Sequence, residues 1–261
     1  MNTAKLTLAI STFLILILLE MLLPLFRERR QRLRHGARNI GIMVINTILL
    51  SLLFSTAYGL VYVYSAEREF GLFYHIPAPL FVRVAFLILI FDAWMYVWHR
   101  MNHEIPFLWR FHRMHHTDPE MDVTTALRFH PLELIFSSIL RVGWIILLGM
   151  RPFDILLYET IMLPIIYFHH SNFYLPAKID QLLRTVIVTP WMHWVHHSDI
   201  RKETNSNYGT IFSWWDRLGR TFRLRSDPRT IRYGLENVQS PHWQTIWGML
   251  KTPFVSRFDQ S

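Results

Sequence analysis

Clustered histidines carry the spacing of a metal site. The sequence contains one H-x-x-x-H pattern and two H-x-x-H-H patterns, formed by His99 and His103, by His112, His115 and His116, and by His193, His196 and His197. Residues three or four apart share one face of a helix, so each pattern can present its imidazoles together. Imidazole nitrogen suits zinc, copper, iron and nickel. Eight histidines are about twice the number that one tetrahedral zinc needs, and the sequence therefore predicts two metal ions.

Residues missing from these patterns disfavour several kinds of metal site. The chain has no Cys, which excludes thiolate ligands and a disulfide framework. A zinc protease of the H-E-x-x-H type needs a Glu next to its first His, but Arg100 follows His99. A zinc transporter would place ligands and carboxylates near the bilayer midplane, where Asp92 is the one candidate.

The elements that position the histidines are predicted to be membrane helices. Hydrophobic residues make up 51% of the chain and charged residues 18%, against roughly 25% charged in soluble domains. Three apolar segments are long enough to cross a bilayer, at Leu6–Phe26, Ile40–Tyr64 and Leu80–Trp98. Leu134–Leu148 and Ile155–Phe168 predict a helical hairpin. We therefore expect an all-α integral membrane bundle of about three transmembrane helices plus the hairpin, with a cytosolic histidine-rich cap.

Charge predicts the orientation of this multi-pass protein. The net charge is +8, and the apolar segments favour a membrane over a nucleic acid as the partner of that charge. An arginine-rich stretch follows the first segment, at Arg27, Arg29, Arg30, Arg32, Arg34 and Arg38. Arg and Lys near membrane ends are retained in the cytoplasm. Counting segments from there places every histidine cluster at the cytoplasmic face.

The histidine patterns and their surroundings resemble the fatty acid hydroxylase superfamily, also called the sterol desaturase family, of membrane non-haem di-iron oxygenases. Supporting matches include the residues from Asp92 to Arg100, Phe129 to Glu133, His170-Ser171-Asn172 and Asn207-Tyr208-Gly209. The similarity covers about residues 80–225. It divides the chain into an N-terminal transmembrane helix pair (1–78), a catalytic domain (79–225) and a tail with an amphipathic helix (226–261).

The resemblance implies two iron ions, O2 as co-substrate, and hydroxylation or desaturation of a lipid C–H bond. The implied ligands are His99, His103, His112, His115, His116, His170, His193, His196 and His197. His169 is the second choice to His170, and the role of His130 stays open. Metal-bound histidines usually donate their other N–H to a carboxylate or carbonyl. Candidates for that task are Asp92, Asn172 and Asp199, followed by Asp118 and Glu133.

The sequence shows no built-in source of electrons. It has neither Cys for an iron–sulfur cluster nor a G-x-G-x-x-G fingerprint. A separate donor protein, a ferredoxin or small cytochrome, is therefore expected. It would dock on a basic surface that can equally contact anionic lipid headgroups, formed by Arg201, Lys202, Arg217, Arg220, Arg223 and Arg225. The alternatives to a lipid hydroxylase or desaturase are a non-catalytic membrane metal-binding protein and an intramembrane metallohydrolase.

Overall fold

The regular elements of the protein are helices. The computed structural model describes residues 3–26, 31–76, 78–235, 238 and 240–255. Within these ranges the extended pairings are three isolated bridges and no strand is formed, which confirms the predicted all-α fold. Several residues used above to predict orientation lie outside the described ranges, namely Arg27, Arg29 and Arg30.

Twelve α-helices occur in the described part of the chain. In chain order they are α1 (Thr3–Leu22), α2 (Arg32–Glu67), α3 (Leu72–His75), α4 (Leu80–Glu104), α5 (Pro106–His116), α6 (Pro131–Leu148), α7 (Pro152–His170), α8 (Ala177–Leu183), α9 (Pro190–His196), α10 (Arg201–Thr204), α11 (Trp214–Leu218) and α12 (Ile246–Lys251). Short 3-10 helices occur at Val123–Leu127, Pro228–Thr230 and Thr252–Phe254.

Four segments are long and apolar enough to cross a membrane: α1, the Arg32–His75 segment that contains α2, α4, and α6. They confirm the three predicted spans and the first arm of the hairpin. Helix α2 has 36 residues, about 54 Å at 1.5 Å per residue, so it extends well beyond a hydrocarbon core of about 30 Å. Helix α4 continues past Trp98 to Glu104 and carries His99 and His103 in its last turns.

The predicted hairpin is formed by α6 and α7. Gly149 ends α6 in the left-handed conformation at φ 65°, which glycine adopts without a steric cost. Pro152 begins α7 at a position where its missing N–H costs nothing. The chain thus reverses within a few residues, so that His130, before α6, and His170, at the end of α7, lie at the same end of the bundle.

The first helix is fastened to this histidine-rich end by Glu20. One carboxylate oxygen accepts hydrogen bonds from the backbone N–H groups of Val123 at 2.8 Å and Asn172 at 2.7 Å. The other accepts from Arg32 Nη2 at 3.0 Å. A charge in an apolar helix is costly unless it is paired, and these partners explain why Glu20 is tolerated there.

Helix α2 also supports the segment after the second histidine pattern. His35 Nε2 lies 2.8 Å from the Asp118 carboxylate, and Asn39 Nδ2 donates to Thr124 Oγ1 at 3.0 Å. All four residues are buried. The polar end of α2 is therefore part of the cap.

The one α-helix of the C-terminal segment in the described residues is short: it is α12, and the 3-10 helix Thr252–Phe254 follows it. Ile246 and Leu250 pack against the buried Ile42 and Met114. Trp247, on the same helix, is 63% exposed. This helix therefore packs on the cap with one face and presents an aromatic side chain on the other.

Candidate metal centre

Nine histidines converge into two adjacent groups, within each of which one ring nitrogen per residue lies within 4.8 Å of the others. The five-histidine group consists of His99, His103, His112, His116 and His196. The four-histidine group consists of His115, His170, His193 and His197. The structure thus brings together all nine histidines that were predicted as ligands.

The two H-x-x-H-H patterns divide between the groups in a reciprocal way. His112 and His116, four residues apart on α5, belong to the five-histidine group, but His115 between them belongs to the other. On α9 and its end, His193 and His197 belong to the four-histidine group, whereas His196 crosses to the first. Each helix therefore contributes an i,i+4 pair to one group and a single imidazole to its neighbour.

Ring nitrogens face one another inside both groups. In the four-histidine group the Nε2 of His170 lies 3.1 Å from that of His115 and 3.0 Å from that of His193. In the five-histidine group the Nε2 atoms of three residues are buried without a hydrogen-bond partner, those of His99, His103 and His196. Buried nitrogens of this kind need a partner, and a metal cation between them would supply it.

The opposite ring nitrogens are held mainly by backbone carbonyls. His99 Nδ1 lies 2.9 Å from the Tyr208 carbonyl oxygen, and His196 Nδ1 lies 2.6 Å from that of Ser206. The same contact is made by two members of the four-histidine group, His115 with Arg128 O at 3.2 Å and His170 with Ile166 O at 2.8 Å. Donation of the Nδ1 proton to a carbonyl leaves Nε2 as the free, metal-binding nitrogen.

One carboxylate also orients a candidate ligand. Glu133, in the first turn of α6, places Oε1 2.8 Å from His112 Nδ1. Both side chains are buried, so the contact forms away from bulk water and is correspondingly strong. His103 has a weaker partner, the side-chain oxygen of Asn205, at 3.4 Å.

In the described part of the chain, none of the three foremost candidates for orienting residues forms a hydrogen bond with one of the nine histidines. The Asp92 carboxylate accepts from the backbone N–H groups of Ile211 and Phe212, each at 2.9 Å, and from Trp215 Nε1 at 2.8 Å. It therefore fastens the cap to α4 and does not contact a histidine. The stretch that it holds follows Tyr208, whose carbonyl accepts from His99, so its effect on the site is indirect.

Asn172 and Asp199 likewise depart from the expectation. The Asn172 side chain accepts from Phe26 N at 3.1 Å and donates to Phe26 O at 3.1 Å, which fixes the chain leaving α1. Asp199 is half-buried and donates its backbone N–H to Arg232 O at 2.9 Å. Its carboxylate has no hydrogen-bond or ion-pair partner in the described part of the chain. Among the secondary candidates, Asp118 bonds His35 and Thr125.

The structure distinguishes the positions of His130, His169 and His170, whose roles the sequence left open. His130 caps α6, because its Nδ1 accepts from Leu132 N at 3.2 Å while its Nε2 lies 3.2 Å from Leu250 O. Both ring nitrogens are thus used in local structure. His169 is buried with its ring centroid 4.0 Å from that of His193, but it belongs to neither group. His170 is the member of this pair that joins the four-histidine group.

Burial keeps the cap histidines neutral. Desolvation, aided by the neighbouring imidazoles, lowers the pKa well below the usual 6.5 for His115, His116, His193, His196 and His197. Removing a charged imidazole from water is costly. Neutral imidazole is the form that binds a metal, so these residues are ready to act as ligands at physiological pH.

The donor set fits iron well. Both groups offer only imidazole nitrogen, which suits iron, zinc, copper and nickel. A structural zinc site is closed by four ligands in a tetrahedron, whereas one group here holds five. Five nitrogen donors match an ion that accepts five or six ligands, as iron does in sites with open positions.

A cavity of about 280 Å³ is lined both by histidines and by residues of the membrane helices. Its walls come from α4, α6, α7 and the loop before α6, and they include Met95, Trp98, Phe129, Leu163 and Ile166. Five histidines line its inner end: His99, His112, His169, His170 and His193. A mainly apolar cleft with a few convergent polar groups is the usual form of a small-molecule site, and an apolar chain in it would lie beside both histidine groups.

Comparison with known proteins finds relatives that are named as hydroxylases and a monooxygenase. Over 161 residues the chain is 30% identical to an ornithine lipid hydroxylase of Rhizobium tropici, covering 60% of this chain and 46% of the relative. It is 26% identical over 147 residues to human cholesterol 25-hydroxylase, covering 56% of this chain and 53% of that protein. Identity to human alkylglycerol monooxygenase is 28% over 221 residues, covering 76% and 44%. The chain spans about half the length of the curated relatives it matches.

No solved structure matches the chain. The family model described as fatty acid hydroxylase matches residues 84–221. This range runs from α4 to the end of the cap and contains all nine histidines of the two groups. The match covers more than half of the sequence, and its boundaries agree with the segment that carried the resemblance. The chain belongs to the fatty acid hydroxylase family.

Proposed function

We propose that this protein is an oxidoreductase that hydroxylates a lipid C–H bond with O2 at a pair of histidine-bound iron ions. The observation that carries the proposal is the convergence of nine buried imidazoles into two adjacent groups at the inner end of an apolar cavity. The relatives named as hydroxylases and a monooxygenase support the same class of reaction. Hydroxylation is favoured over desaturation because all three of those names describe oxygen insertion.

Iron supplies the oxidising power that an unactivated methylene requires, since such a carbon has no acidic proton for a side chain to remove. The residues of this chain would hold the metal ions and orient the substrate. The Nδ1 contacts to Tyr208, Ser206 and Glu133 fix ring orientation and direct Nε2 toward the metal. The apolar walls around Met95 and Leu163 position a hydrocarbon chain and exclude water.

The electrons would come from a separate acidic carrier at the cytoplasmic face. Most of the expected basic surface is exposed, including Lys202, Arg220 and Arg223. Arg225 is an exception because Glu203 pairs with it at 2.7 Å, which narrows the expected docking surface. The arginines at the start of α2, such as Arg34 and Arg38, lie at the histidine-rich end and favour a cytoplasmic orientation for it.

The orientation has a direct test. A reporter fused after Ser261 should be cytoplasmic, and a tag inserted near Glu69, between α2 and α3, should be on the opposite side of the membrane. Both signals on one side of the membrane would contradict the proposed arrangement of spans.

The activity is tested with protein purified anaerobically and loaded with ferrous iron. Addition of a reductant, O2 and fractionated membrane lipids should consume O2 and add one oxygen atom to one lipid class, as read by mass spectrometry with labelled oxygen. Iron binding without O2 consumption for any lipid class would support a non-catalytic metal-binding protein instead. Hydrolytic products without label from O2 would support a metallohydrolase.

A further inference from the structure

The end of the cavity away from the histidines contains a charged side chain. Glu133, Ser137 and Arg141 follow one another at four-residue spacing on α6, and all three line the cavity. Glu133 contacts His112. Arg141 lies eight residues further along the helix, which is about 12 Å at 1.5 Å per residue. The cavity thus has a histidine end and, about 12 Å away along α6, a cationic end.

Arg141 belongs to an ionic cluster with an uncompensated positive charge. Its Nη1 donates to Glu159 Oε1 at 2.7 Å, and the other oxygen of Glu159 is paired with Lys5. Two cations therefore share one carboxylate, Lys5 from the first turn of α1 and Arg141 from the middle of the apolar helix α6. An unbalanced charge at such a position is expensive and marks a functional site by default.

The neighbouring acids that the structure describes do not supply the missing negative charge. Asp154 of α7 is paired with Arg83 and also accepts from the Arg151 N–H. Asp92 is occupied by three donors from the cap. The cluster around Arg141 therefore retains room for one anion.

The Arg141 guanidinium lines the cavity and has donor groups beyond the one that bonds Glu159. No described residue accepts a hydrogen bond from its Nε or Nη2, and the side chain, 26% exposed, lines the cavity wall. These two N–H groups form the fork that binds a carboxylate through two parallel hydrogen bonds. A carboxylate carries one negative charge and would balance the cluster, whereas a phosphate monoester carries about −1.5 to −2.

We propose that Arg141 binds the carboxylate of a single-chain fatty acid that occupies the cavity tail first. In this orientation the carbons next to the carboxylate lie at the cationic end, and carbons further along the chain lie beside the histidines. Oxidation is then directed to a carbon remote from the carboxylate, and α6 sets the distance. The predicted position of oxidation rests on the proposed function. The binding of the carboxylate to Arg141 does not require turnover and can be tested without it.

Photolabelling of the iron-loaded full chain in phosphatidylcholine nanodiscs, without O2, tests the binding step. The probe is a medium-chain fatty acid with a diazirine on its terminal carbon, and the comparison probe is the primary alcohol of the same length. The acid should label residues at the histidine end, such as Phe129 and Leu127, and R141Q should reduce that labelling about tenfold or more, the loss expected for a charge-assisted hydrogen bond. The alcohol should label weakly in both proteins.

A matched control is R83Q, which removes an arginine from the membrane helix α4. Arg83 pairs with Asp154 and does not line this cavity, so R83Q should label like the unaltered protein. If R141Q does not fold, as judged by iron content and thermal unfolding, R141K replaces it. That variant keeps the charge but loses the fork, and it should lower labelling by the acid without raising labelling by the alcohol.

Equal labelling by acid and alcohol, or undiminished labelling of the folded Arg141 variant, would overturn the inference. So would labelling by the terminal diazirine at the Arg141 end, which would mean a reversed orientation. Iron content and O2 consumption are measured on the same preparations. Specific labelling with no O2 consumption would reject the proposed function alone, and O2 consumption with unspecific labelling would reject this inference alone.

Discussion

Both histidine groups take ligands from α5 and from α9 and its end, but they differ in the number of candidate ligands. The five-histidine group has one donor more than the four-histidine group, and its members have several Nδ1 partners, from the Tyr208 carbonyl to the Glu133 carboxylate. One Nδ1 in each group is buried without a partner, that of His116 in the five-histidine group and that of His193 in the four-histidine group. Since metal affinity depends on the number of ligands and on how firmly they are oriented, the smaller group should be the more fragile site.

The largest effect is expected from comparing H115A with H196A. His115 lies on α5 but serves the four-histidine group, and its loss leaves three imidazoles. His196 lies on α9 and serves the five-histidine group, where four remain. H115A should therefore lose one bound metal ion and all activity, while H196A should retain both ions with lower affinity. Metal analysis and O2 consumption check both variants.

Controls for these variants are H75A and H242A, because both histidines are exposed and outside the groups. His35 is not a neutral control, although it lies outside the histidine patterns, because it is buried against Asp118. If H115A kept full activity and two metal ions, the assignment of His115 would be rejected. If H196A lost as much metal as H115A, the expectation that the five-histidine group tolerates the loss of one ligand better than the four-histidine group would be rejected.

A smaller effect is expected when an orienting contact of the five-histidine group is weakened. In E133Q the amide can still face His112, but the negative charge is gone. Loss of such a partner typically costs roughly tenfold to a hundredfold in metal affinity or activity. Titration with ferrous iron should show one weakened site and one unchanged site. Equal weakening of both sites would mean that the groups do not bind independently.

Next in size is the effect of D92N, which concerns stability. Asp92 accepts three hydrogen bonds that fasten the cap. In D92N the side-chain NH2 group would face at least one of these N–H donors, which would lose its acceptor. We expect a loss of about 1–3 kcal/mol in the free energy of unfolding, the usual cost of a buried unsatisfied polar group. The matched variant D199N removes a carboxylate without a described partner and should stay within about 0.5 kcal/mol. Denaturant titration of both proteins measures the difference, and equal values would contradict the role given to Asp92.

The smallest effect is expected at the surface of the cap. Reversing the charges of the exposed Arg220 and Arg223 leaves both histidine groups intact. If an acidic electron carrier docks there, turnover should slow and recover at higher carrier concentration, because charge reversal acts mainly on the association rate. Turnover that stays unchanged while membrane attachment weakens would favour binding of anionic lipid headgroups.

Much of this arrangement is visible in the sequence, because hydropathy and helical spacing are local properties. The apolar segments predicted the membrane helices, and the four-residue spacing predicted that His99 and His103 share a face of α4. The exchange of His115 and His196 between groups was not predictable, since it depends on how α5 packs against α9. Carbonyl acceptors such as Tyr208 O also leave no signal in the sequence. A search for carboxylates instead pointed to Asp92, which holds the cap.

The proposed function requires each of the two histidine groups to hold one iron ion. Its most direct test is quantitative metal analysis, combined with X-ray absorption at the iron edge, of full-length protein purified anaerobically from iron-replete cells. We expect two iron ions per chain, coordinated by nitrogen and oxygen and without sulfur, since the sequence has no Cys. A single metal ion per chain, or full occupancy by zinc in a tetrahedral environment, would contradict it.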